Sequence, residues 1–409
     1  MYFKRILLAA FAAAALSCAG PQHPGLPHAA PESMGMSSTH LALIDSAANA
    51  SVALGEIPGA VIGIVRHGNI VYEKAFGYKS LVPAKEALTT ETLFDLASLS
   101  KCFGTTVSVM QLVERGQLRL MDPVSRYIPG FRPWVDPETG ERVEITVQHL
   151  LTHSSGLDAY ADVAAYVQEF GPGTPEAFIG YIAERAGRNF RPGTDQLYSC
   201  LNFVTLQHIL QRITGQRLCD YAQQHVFDVL GLEHTAYFPL DGAPVKPELA
   251  ALCAPTEVQA DGLPLVAAVH DPIARIINQG NSGNAGMFSN VEDLAVMAAA
   301  LLGDGSWNGR RILAPQTVRK MFEVPSVNDP KVARALGWDT YYTGPYTSGD
   351  IFETENLRGH TGYTGTSVIL DPDTDTAVII LTNRAHPSDG GSVARLRAVV
   401  ASIAAAAIR

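Results

Sequence analysis

Charge is the first thing this sequence has little of. Only 17% of its 409 residues are charged, and 40 acidic side chains against 30 basic ones leave a net −10 at pH 7. Lysine is scarcer than arginine, and no segment gathers the two into a basic stripe. Without such a stripe the electrostatic footprint of a nucleic-acid binder is missing, so nucleic acid is not an expected partner. Cysteine is scarce too, five in all, with no CxxC pair and no His-rich zinc spacing. A GxSxG elbow, an HExxH helix, a P-loop and a dinucleotide fingerprint are all absent, which removes support for those catalytic classes and for their metals and cofactors. No repeat recurs at solenoid periods.

What is present is apolar. Hydrophobic residues make up 47% of the chain, ample for a large core, and at this length more than one core-sized unit is expected. The N-terminus, MYFKRILLAAFAAAALSCAG, has the form of an export signal. Lys4 and Arg5 form its positive end, and the apolar run from Ile6 to Leu16 is shorter than the roughly 20 residues that span a bilayer. ALSC is similar to a bacterial lipoprotein cleavage box, with Cys18 as the lipid acceptor. Ordinary cleavage releasing a free chain is the alternative, because Ala15 stands where leucine is usual. The expected location is the periplasm, either free or tethered to a membrane through Cys18. Cys102, Cys200, Cys219 and Cys253 stay in the mature chain. Four thiols could pair in three ways, and the plainer expectation is that they are small buried apolar residues.

After the signal, the Pro/Gly/His-rich stretch to residue 36 reads as a linker. Ser37 or Ser38 can cap a helix reaching about residue 54. Residues 60–65 and 70–76 form a hairpin around RHGN, where Gly68 supplies the turn. Helical spacing then dominates, beginning with 99–113. A second hairpin, 367–370 with 377–381, encloses DPDTDT, and an Ala-rich helix closes the chain. A helix with two strands at the start and two strands with a helix at the end predict one domain built from both termini, with a helical insertion.

The chemistry starts at FDLASLSK, which leads from a strand-like run into a helix. Ser98 falls in the first helical turn, where free N–H groups favour a developing anion, and Lys101 stands three residues on, on the same face. Leu96, Ala97, Leu99, Cys102 and Phe103 surround the pair with apolar side chains, and desolvation of that kind disfavours an ammonium and makes lysine a base. Taken alone, the pair is equally a capping serine beside a solvated lysine. Two further segments change the balance: Tyr198 in GTDQLYSCLNF, after a Pro-Gly turn and before a helix, and His360-Thr361-Gly362 in LRGHTGYTGTS, just ahead of the second hairpin.

Together these motifs resemble the penicillin-binding protein and class C β-lactamase superfamily of serine hydrolases, with its SxxK, YxN and KTG or HTG motifs. The likeness is to the periplasmic HTG-bearing hydrolases and esterases, and it runs from about Pro31 to the C-terminus. It implies an α+β fold: an antiparallel sheet flanked by N- and C-terminal helices, with a mainly helical domain inserted. The expected divisions are 1–18 signal, 19–36 linker, 37–97 with 281–409 as the α/β domain, and 98–280 as the helical one. It also implies a cofactor-free acyl transfer. Ser98 would attack a carbonyl, Lys101 and Tyr198 would carry its proton to the leaving group, and the Ser98 and Tyr363 amides would hold the oxyanion. His360 and Thr361 would hold the substrate's polar end or relay a proton, and Gly362 would let the strand come close.

One position departs from the pattern. Cys200 stands where YxN has asparagine, and a thiol is a weak donor and acceptor. A contact to a substrate amide is thereby lost, and with HTG in place of KTG this argues against efficient β-lactam hydrolysis. D-alanyl peptides of peptidoglycan are the expected substrates, small esters the alternative, and a penicillin sensor acylated once without turnover is the non-enzyme reading. Of the remaining polar residues, His153 reads as a helix-end histidine tied to backbone, His270-Asp271 as a pair behind the site, and Trp338 as core or pocket wall.

Overall fold

A computed structural model describes residues 25–242, 246–340, 348–352 and 355–409. The signal and Cys18 lie outside these residues. Seven antiparallel strands make the main sheet: β1 (Gly59–Arg66), β2 (Asn69–Ser80), β3 (Glu86–Ala87), β4 (Asp339–Thr340), β5 (Arg358–Thr361), β6 (Ser367–Asp371) and β7 (Thr376–Thr382), in the order β4-β5-β6-β7-β1-β2-β3. The two hairpins read from the sequence are β1–β2 and β6–β7. They lie side by side because β1 also pairs antiparallel with β7, from Ala60 opposite Thr382 to Arg66 opposite Thr376. The β1–β2 turn is His67-Gly68, both at positive φ (49° and 67°), the twist that suits a two-residue hairpin.

Both faces of the sheet are covered, which is why β1 is buried along its whole length. On one face lie α1 (Leu43–Ala53) and the closing helix α2 (Ala394–Ala407), packing Ile44, Ala48, Leu396 and Val400 against Ile62, Ile64 and Ile380. On the other lies the helix Val291–Leu302, whose Val291 and Leu294 meet Val61, Val65 and Ile379. A Cβ on Gly63 would come within 2.4 Å of the Val291 side chain, so the glycine sets how close that helix sits. The structure is α+β, with the mainly helical segment between the strands of the sheet supplying helices such as Val107–Glu114, Pro175–Glu184 and Cys200–Thr214.

Three local features differ from the sequence expectation. The helix foreseen from residue 37 or 38 to 54 is two pieces, Ser38–Leu41 capped by Ser37 and then α1. The helix foreseen at 99–113 is π-helical over Lys101–Thr106 before it turns regular at Val107. Residues 25–36 are not a loose linker: Leu26 and Met36 are buried, and Ala29 donates to the Ile70 carbonyl at 3.0 Å. An apolar side chain at each end of that stretch gives it a place to dock, which Pro and Gly content alone conceals. Cys102, Cys200, Cys219 and Cys253 are all free and buried. Trp338 is a core residue, edge-on to Phe103 at 5.3 Å. Among the described residues no helix is long and apolar enough to cross a membrane.

Candidate active site

Ser98 follows a sharp reversal. Phe94–Asp95 is a short strand paired with Met287–Ser289, and the chain then turns through Ala97 at φ 45°, a conformation alanine adopts only when its surroundings hold it. Asp95 does the holding. Its Oδ1 accepts from the Ala97 amide at 2.8 Å and its Oδ2 from the His270 amide at 2.7 Å. Burial pushes the Asp95 carboxyl up, and these two amides oppose that by favouring the carboxylate. The turn delivers Ser98, half-buried, at the mouth of the helical run. Lys101, fully buried one turn on, donates from Nζ to Ser98 Oγ at 2.8 Å and to the Asn284 carbonyl at 2.8 Å. The widened π turn that begins at Lys101 is a distortion frequent at functional sites.

Tyr198 comes from a different part of the chain. Its ring lies 5.0 Å from Lys101 Nζ, and its hydroxyl interacts with both Lys101 and Ser98. His153 fixes it from behind: the rings are 4.4 Å apart, and His153 Nδ1 accepts from the Ser199 amide at 3.1 Å. The histidine is thus bound to backbone, and the backbone it binds carries the tyrosine. Serine, amine and phenol therefore meet at one point.

The charge state of that cluster differs from the expectation that apolar neighbours would strip lysine of its proton. Burial does push the Lys101 ammonium down, but Asp271, the hydrogen bond with Tyr198 and, once either ionises, the charge of Cys200 or Tyr198 work against it, and the ammonium is held above its ordinary value. Burial likewise pushes the Tyr198 phenol and the Cys200 thiol up, with Lys101 opposing in both cases. The resting cluster is therefore fully protonated. Its reactive form has one proton fewer, and the pKa of that loss belongs to the group rather than to any one residue. With one proton removed, Ser98 can pass its own to the Lys101–Tyr198 pair as it attacks a carbonyl, and the pair can return it to the departing atom.

The HTG strand closes the other side. Thr364 Oγ1 donates to the Asp95 carbonyl at 2.7 Å and Thr366 Oγ1 to the Leu96 carbonyl at 3.0 Å, clamping the end of β5 against the serine turn. At Gly362 a Cβ would stand 2.1 Å from Thr366 Oγ1 and 2.5 Å from the Leu96 carbonyl, so only glycine passes there. The Tyr363 amide comes next. Among the described residues, neither it nor the Ser98 amide donates to a backbone carbonyl, which leaves both for an oxyanion. His360 is buried with Nδ1 2.8 Å from the Thr361 carbonyl. Burial, then the charges of Arg334 and Lys101, hold its pKa well below the ordinary imidazole value, so it is a neutral wall and not a cation.

Two cavities open on Ser98. One, of about 450 Å³, is lined by Tyr198, Arg334, Asp339, His360, Thr361, Gly362 and Arg384 among others. The second, of about 490 Å³, is lined by Tyr160, Cys200, Glu257, His270 and Asp271, and Tyr363 borders both. Cys200 is the first residue of the helix Cys200–Thr214, its amide donating to the Ala159 carbonyl at 2.8 Å. Its raised pKa makes it a protonated thiol, against a reactive thiolate. Asp271 accepts from Tyr160 at 2.9 Å and from the Asn284 side chain at 3.0 Å, so the His270-Asp271 pair does stand behind the carbonyl that takes Lys101.

Three residues escaped the sequence reading: Asp95, Asn284 and Arg334. Asp95 had a signal, a lone charge in an apolar run beside the serine. Asn284 acts through its backbone carbonyl, which no side-chain pattern reports. Arg334 is brought in by tertiary packing alone.

A serine and a tyrosine gathered around a buried lysine beneath two free amides, on an α+β scaffold, define a serine hydrolase that works through an acyl-enzyme. The chain belongs to the β-lactamase family, whose pattern matches residues 44–402. It is 30% identical to an N-acetylmuramyl-L-alanine amidase of Bacillus subtilis, covering 87% of this chain and 83% of that one. It is also 30% identical to a putative D-alanyl-D-alanine carboxypeptidase of Escherichia coli K12, covering 94% and 91%. Among solved structures, its fold is similar to EstCE1, a hydrolase with promiscuous acyltransferase activity (TM-score 0.70, 24% identity, 90% of this chain and 99% of that one). It is similar as well to the octameric penicillin-binding protein homologue from Pyrococcus abyssi (TM-score 0.65, 24% identity, 88% and 76%).

Proposed function

We propose that this serine hydrolase is an exported enzyme that removes a terminal D-alanine, or a similar carboxylate-bearing residue, from peptidoglycan-derived peptides. Arg334 carries the proposal. It is 98% buried, one guanidinium nitrogen is bonded to Asp339, and among the described residues Nε and Nη2 have no partner. The Arg334 guanidinium stands 5.7 Å from the Tyr198 ring and lines the cavity on the HTG side. Unanswered arginine donors beside a neutral His360 suit a carboxylate, and a leaving D-alanine presents one at its C-terminus. The names of the Bacillus and Escherichia relatives agree with a cell-wall peptide as substrate. Residues 1–18 are the proposed export signal, with Cys18 the proposed lipid site and the periplasm the proposed location.

The test compares three acyl donors: a D-alanyl-D-alanine peptide, the same peptide with its C-terminus amidated, and a p-nitrophenyl ester. The free-acid peptide should be cleaved, and amidation should slow it by about tenfold or more, the worth of a charge-assisted hydrogen bond. Equal rates on acid and amide would overturn the role of Arg334. Turnover of the ester with the peptide untouched would favour the second reading, a small-ester hydrolase, which rests on Cys200 standing in place of an amide.

A further inference from the structure

Outside the cleft, on the face of the sheet that carries the helix Val291–Leu302, three side chains converge from distant parts of the chain. His28 lies in the lead-in, Glu73 on β2 opposite Gly63, and Glu292 in the first turn of that helix. His28 Nε2 is 3.8 Å from Glu73 Oε2 and 4.0 Å from Glu292 Oε1, and the three donor atoms all lie within 4.8 Å of one another. Glu73 makes the cluster unusual. Its side chain is only 6% exposed, its Oε1 is buried without a hydrogen-bond partner, and among the described residues no lysine or arginine pairs with it. A second carboxylate beside it adds repulsion to the cost of desolvation; together they push the Glu73 carboxyl up to about 7. Two carboxylates and an imidazole facing one point, one of them buried and unanswered, form an arrangement that a cation would relieve.

We infer that His28, Glu73 and Glu292 form a site for one divalent transition-metal ion, of which Zn²⁺ is the representative, that pins the N-terminal lead-in to the sheet. The imidazole nitrogen selects against Ca²⁺ and Mg²⁺, which take oxygen ligands, whereas zinc accepts both imidazole nitrogen and carboxylate oxygen. Zinc bonds of about 2.0–2.2 Å in tetrahedral geometry place donors roughly 3.3–3.6 Å apart. The present spacing is wider by less than about 1.5 Å, a gap that the exposed ends of His28 (59%) and Glu292 (50%) close by rotation. The backbone is already in place. Ile70 brackets His28, donating to the Pro27 carbonyl at 2.9 Å and accepting from the Ala29 amide at 3.0 Å, while Asn290 caps the helix that carries Glu292. Such a cross-link would tie residue 28 to residues 73 and 292, a spacing that no local sequence pattern discloses.

Chelator-treated protein titrated with ZnCl₂ in a calorimeter should bind one ion per chain with micromolar or tighter affinity, and Zn²⁺ should raise Tm where Mg²⁺ at the same concentration does not. His28→Ala and Glu292→Gln alter half-exposed side chains, and each should weaken that binding at least tenfold and abolish the Tm shift, with hydrolysis by metal-free protein unchanged. Absence of stoichiometric binding to the wild type would overturn the inference. So would binding that survives both substitutions at full affinity, since the ion would then sit on other histidines or thiols.

Discussion

The two cavities that meet at Ser98 are similar in size and opposite in what they leave unanswered. On the Tyr160 side the acidic groups already have partners: Asp271 takes three donors, including the Ala274 amide at 2.8 Å, and Glu257 faces His270 at 3.3 Å. On the HTG side, among the described residues, Arg334 Nε and Nη2 are buried without a hydrogen bond, as is His360 Nε2 beside them. One wall has finished its hydrogen bonding; the other still offers donors. The carboxylate-bearing substrate proposed above would thereby be oriented, with its anionic end beside β5 and its acyl portion against Tyr160 and Cys200. Hydrogen bonds to a charged group gain more than neutral ones, so the asymmetry gives polarity to a cleft that shape alone would leave ambiguous.

The largest effects come from the edge the cavities share. Ser98→Ala should lower kcat by about 10⁴-fold or more on every acyl donor, acid or ester, because both cavities depend on one nucleophile. Residual turnover within tenfold of wild type would place the nucleophile elsewhere. Lys101→Ala should follow, at about 10²–10⁴-fold in the acylation rate read by burst kinetics, with Tm retained. A burst phase of unchanged rate would remove lysine from the relay.

Arg334→Gln separates the two sides. It should lower kcat/KM for a free-acid D-alanyl peptide by roughly 10–100-fold, the worth of a hydrogen bond to a charged group, and leave a p-nitrophenyl ester within about threefold. Equal losses on both substrates would mean that Arg334 supports the fold of the cleft and does not read the carboxylate. That outcome would also show as a lower Tm, since the buried bond between Arg334 and Asp339 would be lost.

The pH profile tests the shared edge in another way. Because Lys101 is held above its ordinary value, the fully protonated cluster predominates at neutral pH, and kcat/KM should climb through the alkaline range as one proton leaves. His360 is held neutral and adds no acidic limb through its own ionisation. A profile that is flat from about pH 7 to about pH 10 would contradict the charge state assigned here.

How much of this was legible beforehand depends on how each part is encoded. Ser98 and Lys101 are tied by one helical turn, and His360, Thr361 and Gly362 are consecutive, so short-range spacing reports them. The two hairpins were legible because alternating apolar runs around Gly68 and DPDTDT admit little else. The charge on Lys101 was not, for it depends on Cys200, Tyr198 and Asp271, which reach it only through tertiary packing. Arg334 and the Asn284 carbonyl were hidden for the same reason, and so was the docking of residues 25–36, where Leu26 and Met36 find the core across a sequence of turn-formers.

Cys200 is where the smaller expected effect is also the most informative. It sits in the wall whose polar groups are already satisfied, and its protonated thiol gives a substrate amide little to hold. Cys200→Asn supplies a carboxamide that can both donate and accept, and should raise kcat/KM on D-alanyl peptides several-fold, up to about tenfold, the worth of one neutral hydrogen bond. In the alkaline range, where the thiol can lose its own proton, a Cys200 thiolate holds the Lys101 ammonium up; the same change removes that group, so the alkaline limb of the profile should move to lower pH. The two readouts are independent, and each has its own meaning. A gain on peptides without a shift in the limb would confine Cys200 to substrate contact; a shift without a gain would make it part of the proton cluster alone. With neither, the Tyr160-side cavity would not hold the peptide's acyl portion, and the orientation drawn from the contrast between the two walls would fail.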